Sequence, residues 1–308
     1  MGEIVKPLVS VIIPTYKRSK SLNRAIDSVL SQTYPNIEII VVDDNGKGSK
    51  YQMETEKSLE KYIKTDKIKY IIHDVNRNGS AARNTGFKHS RGEYINFLDD
   101  DDVFLPKKIE RQVEALDKSE AKYGATYCNS LIRRIQNITN RKICICTKSL
   151  LSGNICREYL MNECPFNTST VLFRRSVIEN LNGFDDSFVR HQDYELLTRF
   201  FVLYEIVSTG IEPLVVYDTI NDRGNVPNPE KDLEVKTKFM DTFSNTFDLF
   251  GIRKDVCHYM WLQCAINALI SKNYTVYAKA IRFSKSYKQL SVGDFLLIIK
   301  TLIIGFLK

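Results

Sequence analysis

Apolar positions in the first hundred residues switch repeatedly between two spacings. Leu8–Ile13 (LVSVII) is a β-branched run closed by Pro14 and reads as a short buried strand. Ser19–Gln32 then carries Leu22, Ala25, Ile26, Val29 and Leu30 at a helical period. Ile37–Val42 (IEIIVV) is a second strand ending on the polar turn Asp43-Asp44-Asn45-Gly46. Tyr51–Ile63 predicts a helix, Ile68–His73 a third strand, Ser80–His89 a short helix, and Tyr94–Leu98 a fourth strand that runs into four consecutive aspartates. Strands alternating with helices predict an α/β fold with a mostly parallel central sheet flanked by helices. Ligands bind at the carboxyl ends of such strands, which here carry Pro14-Thr15-Tyr16, Asp43-Asp44, His73-Asp74 and Asp99–Asp102.

The pattern is less regular beyond this point. Residues 106–135 predict a helix with Pro106 in its first turn, followed by further strands. Residues 136–165 read as irregular, with an apolar run Ile143–Cys146 and a Gly153-Asn154 turn. A strand at Thr170–Phe173, a helix near Ser176–Leu181, the turn Asn182-Gly183-Phe184-Asp185, a helix at Gln192–Leu203 and short strands within Val207–Tyr217 follow. Asn225–Glu230 (NVPNPE) reads as a hinge, after which the pattern is helical. The expected organisation is an α/β domain over residues 1–228 and a helical region over 229–308.

Composition fits this picture. Apolar residues are 43% of the 308 and charged residues 26%, which excludes disordered and collagenous chains. A net charge of +7 would ordinarily suggest nucleic acid. However, residues 251–308 hold nine basic residues (Arg253, Lys254, Lys272, Lys279, Arg282, Lys285, Lys288, Lys300, Lys308) against Asp255 and Asp294, leaving 35 of each sign in residues 1–250. The excess therefore belongs to the tail, and no nucleic-acid partner is expected. Seven cysteines without paired CxxC spacing suit a reducing compartment better than a disulfide framework or a metal site. The first residues lack a signal-peptide pattern, so a cytoplasmic location is expected.

The chemistry concentrates in Asp99-Asp100-Asp101-Asp102. Four like charges at a strand end repel one another unless a cation is present. Asp99 and Asp101, two apart, can point together and offer hard oxygen ligands to Mg²⁺ or Mn²⁺, which keep open positions for substrate phosphates. A solvated acidic turn before the Pro106 helix is the competing reading.

Four ordered stretches carry a resemblance: SVIIPTYKR, VVDDNGKG, NRNGSAARNTGFKHSRGEYINFLDDDD and GFDDSFVRHQDYELLTRF. Over residues 8–225 the chain resembles the family 2 inverting glycosyltransferases, nucleotide-sugar enzymes of GT-A fold from bacterial cell-surface polysaccharide synthesis. The resemblance maps the family's D-x-D motif onto Asp99-Asp100-Asp101. It implies that Asp99 meets the ribose side or the metal through water, that Asp101 ligates a Mn²⁺ or Mg²⁺ bridging the diphosphate, and that Asp100 belongs to the same donor site. It further implies that Pro14, Thr15 and Tyr16 wall the base pocket and that Asp44, with Asp43 beside it, accepts from uracil N3–H. Asn76 would lie near the base or ribose, and Arg83 on the diphosphate. A UDP-sugar donor follows, with a hexose or N-acetylhexosamine passing to a hydroxyl of a lipid-linked glycan.

An inverting displacement needs one general base. By resemblance Asp193 takes that place, in His191-Gln192-Asp193-Tyr194-Glu195, with Gln192 where the family usually has Glu. Glu195 reads as a partner for Arg199 at i+4. Asp218, Asp222 or Arg223 stand where the family often has a ligating His. A non-catalytic GT-A scaffold or carbohydrate-binding protein is the alternative function. A nucleotidyltransferase would want a Gly-rich, Lys-bearing first loop, which PTYKR is not. The basic segment Lys272–Lys288 precedes Phe295–Leu307, thirteen apolar-rich residues interrupted by Lys300. That is short of the ~20 residues of a spanning helix and suits a helix lying in a membrane interface. The expected address is thus the inner face of the cell membrane, held peripherally. A C-terminal helix packed on the body or on a second copy of the chain is the other reading.

Overall fold

The computed structural model describes residues 6–136, 141–218 and 228–306. Along the chain run β1 (Val9–Thr15), α1 (Ser19–Leu30), β2 (Ile37–Asp43), α2 (Lys50–Ile63), β3 (Lys69–Ile72), α3 (Asn78–Lys88), β4 (Tyr94–Phe97), β5 (Val103–Phe104), α4 (Lys108–Asp117), β6 (Tyr123–Gln136) and β7 (Arg141–Cys146). Then come α5 (Cys156–Leu160), a 3-10 turn (Thr168–Thr170), β8 (Val171–Arg174), α6 (Arg175–Asn180), α7 (Gln192–Leu203) and β9 (Glu205–Asp218), followed by α8 (Pro229–Thr242), α9 (Ser244–Leu249), α10 (Arg253–Ile270), α11 (Tyr274–Tyr287) and α12 (Val292–Phe306). Two compact units result: Met1–Ile155 with Cys164–Arg223, and Cys156–Glu163 with Gly224–Lys308.

The first unit is an α/β body on one sheet, in the order β3-β2-β1-β4-β8-β6-β9-β5, with β7 paired to β6. It is parallel from β3 to β4 and mixed beyond, because β8 runs antiparallel to both β4 and β6. The alternation of strand and helix that predicts parallel pairing stops at β4, and the parallel ladders stop there too, apart from β6 with β9. Val9, Val11 and Ile13 pack with Leu22, Ala25, Ile26 and Val29 of α1 in the main core. Ile12 faces the other side of the sheet and is equally buried.

Two sequence expectations are corrected. The stretch read as irregular contains β7, which pairs residue by residue with β6 from Leu131↔Cys146 to Gln136↔Arg141. Its apolar run Ile143–Cys146 is too short for periodicity alone to identify a strand. The short strands expected within Val207–Tyr217 form one long strand, β9, whose pairing with β6 is irregular between Tyr127 and Ser130. All seven cysteines are free thiols, with Cys144 exposed and Cys146 partly so.

The second unit is helical. α10 is its core, burying Val256, Met260, Trp261, Leu262, Ala265, Ile266 and Leu269 among other residues. α8 opens with Asn228 as N-cap, its side chain accepting from the Glu230 and Lys231 amides. Within α8, Lys236 Nζ lies 3.0 Å from Asp232 Oδ2, a buried pair that Asn267 also joins through Nδ2 at 3.1 Å. Among the described residues no helix is long and apolar enough to cross a membrane.

Candidate active site

Strand register brings the polar groups together. Thr15 pairs with Asp43, Asp43 with Ile72, and Ile12 with Phe97, so the carboxyl ends of β1 to β4 lie on one edge. The ladder continues past the strands, with the Asp44 amide donating to the Thr15 carbonyl and the His73 amide to that of Asp43, both at 2.9 Å.

The turn after β4, in which the Asp102 amide donates to the Asp99 carbonyl at 3.1 Å, splits the four aspartates into two pairs. Asp100 and Asp102 are buried, whereas the Asp99 and Asp101 side chains are 31% and 22% exposed. Asp100 accepts from Thr15 Oγ1 at 2.7 Å, and burial pushes its carboxyl up to about 7. Asp102 is held well above the usual carboxylate range by burial and by the charge of Asp99. The pair turned outward is the one the D-x-D spacing selects. Their oxygens fit Mg²⁺ or Mn²⁺, hard ions commonly held by one or two carboxylates plus substrate phosphates. Among the described residues no group of three or more His, Cys, Asp or Glu side chains is placed to hold a metal ion.

At the second strand end Asp44 is buried and already well served. Its Oδ1 accepts from His73 Nδ1 at 2.7 Å and from the Arg77 amide at 2.8 Å, and its Oδ2 from Asn76 Nδ2 at 2.9 Å. His73 continues through Nε2 to Thr85 Oγ1 at 2.9 Å. Asp43 accepts from Tyr70 and Asn45, and burial raises its carboxyl. Asp43 and Asp44 thus shape this loop, and Asn76 sits directly on Asp44. Tyr16 is exposed beside Pro14, and Lys17 reaches over both the Tyr16 and Tyr51 rings.

Arg83 links Asp99 to the residue that precedes the predicted base. One terminal nitrogen donates to Asp99 Oδ1 at 2.6 Å and the other to Gln192 Oε1 at 2.7 Å. The guanidinium also lies over Phe184, whose ring meets Phe97 edge-on with centroids 5.0 Å apart. Both ends of the fork expected on a diphosphate are therefore engaged by protein. Gly79 makes room for this, because a Cβ there would come within 2.9 Å of both Arg83 Nη1 and Gln192 Oε1. Asp193 follows Gln192 in the first turn of α7. Burial raises its carboxyl, Arg83 pulls it down, and Asp99 pushes it up again. A raised carboxylate is the better base. Glu195 is buried and bidentate to Arg199, which matches the i+4 pairing expected from sequence.

Sequence reasoning missed the side chains that hold α7 in place. Asn84 donates from Nδ2 to the Phe184 carbonyl and to Asp186 Oδ1, both at 2.8 Å, and accepts from the Phe184 amide at 2.9 Å. Asn78 donates to the Asp186 carbonyl and Ser80 to that of Phe188. Gly183, at φ +70°, faces Asn84 with no space for a side chain. Arg18 was missed as well; it contacts both Asp100 and Asp101. Asn84 lies in the quoted ARN triplet and Arg18 in PTYKR, but nothing in their spacing names a partner 100 or 82 residues away. Of the expected donor-closing residues, Asp222 and Arg223 lie outside the described residues, and of Asp218 only the backbone is described.

An uncharacterized glycosyltransferase of Rickettsia prowazekii is 36% identical over 209 residues, 64% of this chain and 60% of that protein. The Escherichia coli UDP-Glc:alpha-D-GlcNAc-diphosphoundecaprenol beta-1,3-glucosyltransferase WfgD is 31% identical over 189 residues, 61% of this chain and 68% of that protein. The chain covers 29% to 60% of the length of three Rickettsia relatives. In fold it resembles mannosyltransferase PcManGT from Pyrobaculum calidifontis, solved with GDP-Man and Mn²⁺, at a TM-score of 0.59 and 18% identity over 98% of this chain and 81% of that one. The family model for glycosyl transferase family 2 matches residues 10–181, the stretch that carries the strand ends from Pro14 to Asp101, and the chain belongs to that family.

Proposed function

We propose that this protein is an inverting, metal-dependent glycosyltransferase that moves a hexose or N-acetylhexosamine from a UDP-sugar to a hydroxyl of a lipid-linked glycan in cell-surface polysaccharide synthesis. The observation that carries the reading is the Asp99–Arg83–Gln192 chain, which joins one D-x-D carboxylate to the residue before Asp193, a carboxyl that feels the charges of both Arg83 and Asp99. Asp193 takes the proton of the attacking hydroxyl, and Arg83 steadies Asp99 while lending positive charge to the diphosphate side. A divalent ion held by Asp99 and Asp101 would supply stabilisation of the charge that develops on the leaving diphosphate. Pro14, Thr15 and Tyr16 wall the base, Asp44, with Asp43 beside it, accepts from uracil N3–H with the lone-pair capacity left on Oδ2, Asn76 lies near the base or ribose, and Asp100 belongs to the same donor site. The UDP-Glc and diphosphoundecaprenol in the name of WfgD support both the donor and the lipid-linked acceptor.

The reading places the protein at the inner membrane surface, where such an acceptor is reached. Thermal shift with UDP-, GDP- and dTDP-sugars plus Mn²⁺ tests the donor. A UDP-sugar is expected to stabilise most, and stabilisation by a GDP-sugar alone would overturn the uracil pocket.

A further inference from the structure

The loop after β1 aims a cation at the tip of the aspartate cluster. Arg18 Nη1 lies 2.5 Å from Asp101 Oδ2 and 3.4 Å from Asp100 Oδ1. This placement is built into the local backbone. Lys17 adopts a left-handed conformation, φ +58°, that a lysine rarely takes. Its amide is fixed by Asn45 Oδ1 at 2.8 Å and its side chain by the Tyr16 and Tyr51 rings. Arg18 then caps α1 through its carbonyl, which accepts from the Ser21 and Leu22 amides. Its own side chain takes no part in the cap and is 40% exposed.

The guanidinium engages the same carboxylate, Asp101, that the D-x-D reading assigns to the metal. Two cations cannot both sit on Asp101 Oδ2 at contact distance without strong mutual repulsion. We propose that Arg18 is the counter-ion of the donor-free site: it holds Asp101 against a lone divalent cation and gives it up when a nucleoside diphosphate arrives to take the guanidinium. The inference rests on the UDP-sugar reading. Arginine suits the exchange, since the same planar fork pairs with carboxylate or with phosphate oxygens. The consequence is coupled occupancy, in which the nucleotide opens Asp101 to the metal and the metal alone binds poorly. Coupling of this kind is reciprocal, so Mn²⁺ must tighten UDP by the factor by which UDP tightens Mn²⁺.

The test measures binding and requires no turnover. Free Mn²⁺ is followed by electron paramagnetic resonance and UDP by calorimetry, in the whole chain at low salt. For Arg18→Ala, Mn²⁺ alone is expected to bind about ten-fold tighter and UDP alone about ten-fold weaker, shrinking the mutual enhancement by a similar factor. Arg18→Gln, which keeps a hydrogen-bonding group without the charge, should behave alike, whereas Arg18→Lys should retain most of the block. If both neutral variants bind Mn²⁺ alone no tighter than the wild type while the wild type binds Mn²⁺ and UDP together, the counter-ion role fails and the donor reading stands. If the wild type binds neither ligand under any order of addition, the donor reading falls, and the Arg18 proposal with it.

Discussion

The carboxyl of Asp99 and that of Asp100 are one residue apart, yet one meets Arg83 near solvent and the other is sealed against Thr15. The turn Asp99–Asp102, closed by the Asp102 amide on the Asp99 carbonyl, makes this division; the run of acids after a strand was legible in the sequence, whereas which two face outward is set by the turn. Arg18 was not legible, since a basic residue after a strand carries no mark of the acid it will meet. A similar limit applies to Lys108. Nothing in PKKIE distinguishes it from Lys107, but it is fully buried, its ammonium lies 4.0 Å from the centre of the Phe104 ring, and Nζ has no hydrogen-bond partner. Burial lowers its pKa from 10.5 to about 7. Between those values the unfolded chain holds one more proton than the folded one, so stability rises with pH across that window, and the penalty is full below about pH 7. Lys108→Met is expected to stabilise the protein at pH 6 by on the order of 2 kcal/mol and to flatten this rise. Denaturant titrations at pH 6 and pH 9 measure both, and an unchanged slope with pH would contradict the assignment.

At the scale of elements, the site depends on α3 holding α7. The helical periods of both were legible, and α7 spans the predicted Gln192–Leu203. Their docking was not, because it runs through polar side chains on α3, where hydrophobic periodicity carries no information. Asn84 makes three hydrogen bonds to the turn before α7, and Phe184 of that turn touches both Phe97 and Arg83. Asn84→Ala should cost about 1–3 kcal/mol of stability, since it leaves the Phe184 amide and carbonyl unpaired. It should also lower kcat about ten-fold by loosening Asp193, while leaving the KM for the donor within about two-fold, because the strand ends are untouched. Steady-state kinetics with varied donor decide this; a rise in KM at constant kcat would place Asn84 in donor binding instead. β7 was illegible for a different reason. Its short apolar run fits neither period, and a long partner strand, rather than local pattern, makes it a strand.

For the whole molecule, the sequence located the charge excess but not the shape of the surface that bears it. In α12, Ile298 faces inward against Leu262, Ile266 and Leu269. Val292, Phe295, Leu296, Leu297, Ile299 and Leu302 remain exposed, all but Leu297 spaced as one helical stripe. Lys272, Lys279, Arg282, Lys285 and Lys300 are exposed in the same unit. Interfacial helices pair an apolar stripe with basic residues in this way, and each basic residue near an anionic surface adds about 1 kcal/mol. The double substitution Phe295→Ser with Leu296→Ser should therefore reduce binding to anionic vesicles at least ten-fold, by about 25 cal/mol for each Å² of apolar surface lost. Flotation with and without anionic lipid measures it; unchanged partitioning would assign the stripe to a protein partner.

In the proposed function Asp193 is the base of an inverting transfer from a nucleotide-sugar. Product configuration followed by NMR, with the wild type and Asp193→Asn compared on the same UDP-sugar and acceptor, tests it most directly. An inverted anomeric centre and a loss of turnover of about 10³-fold in the variant are expected, with UDP binding preserved. A retained configuration, or a variant within ten-fold of the wild-type rate, would contradict it.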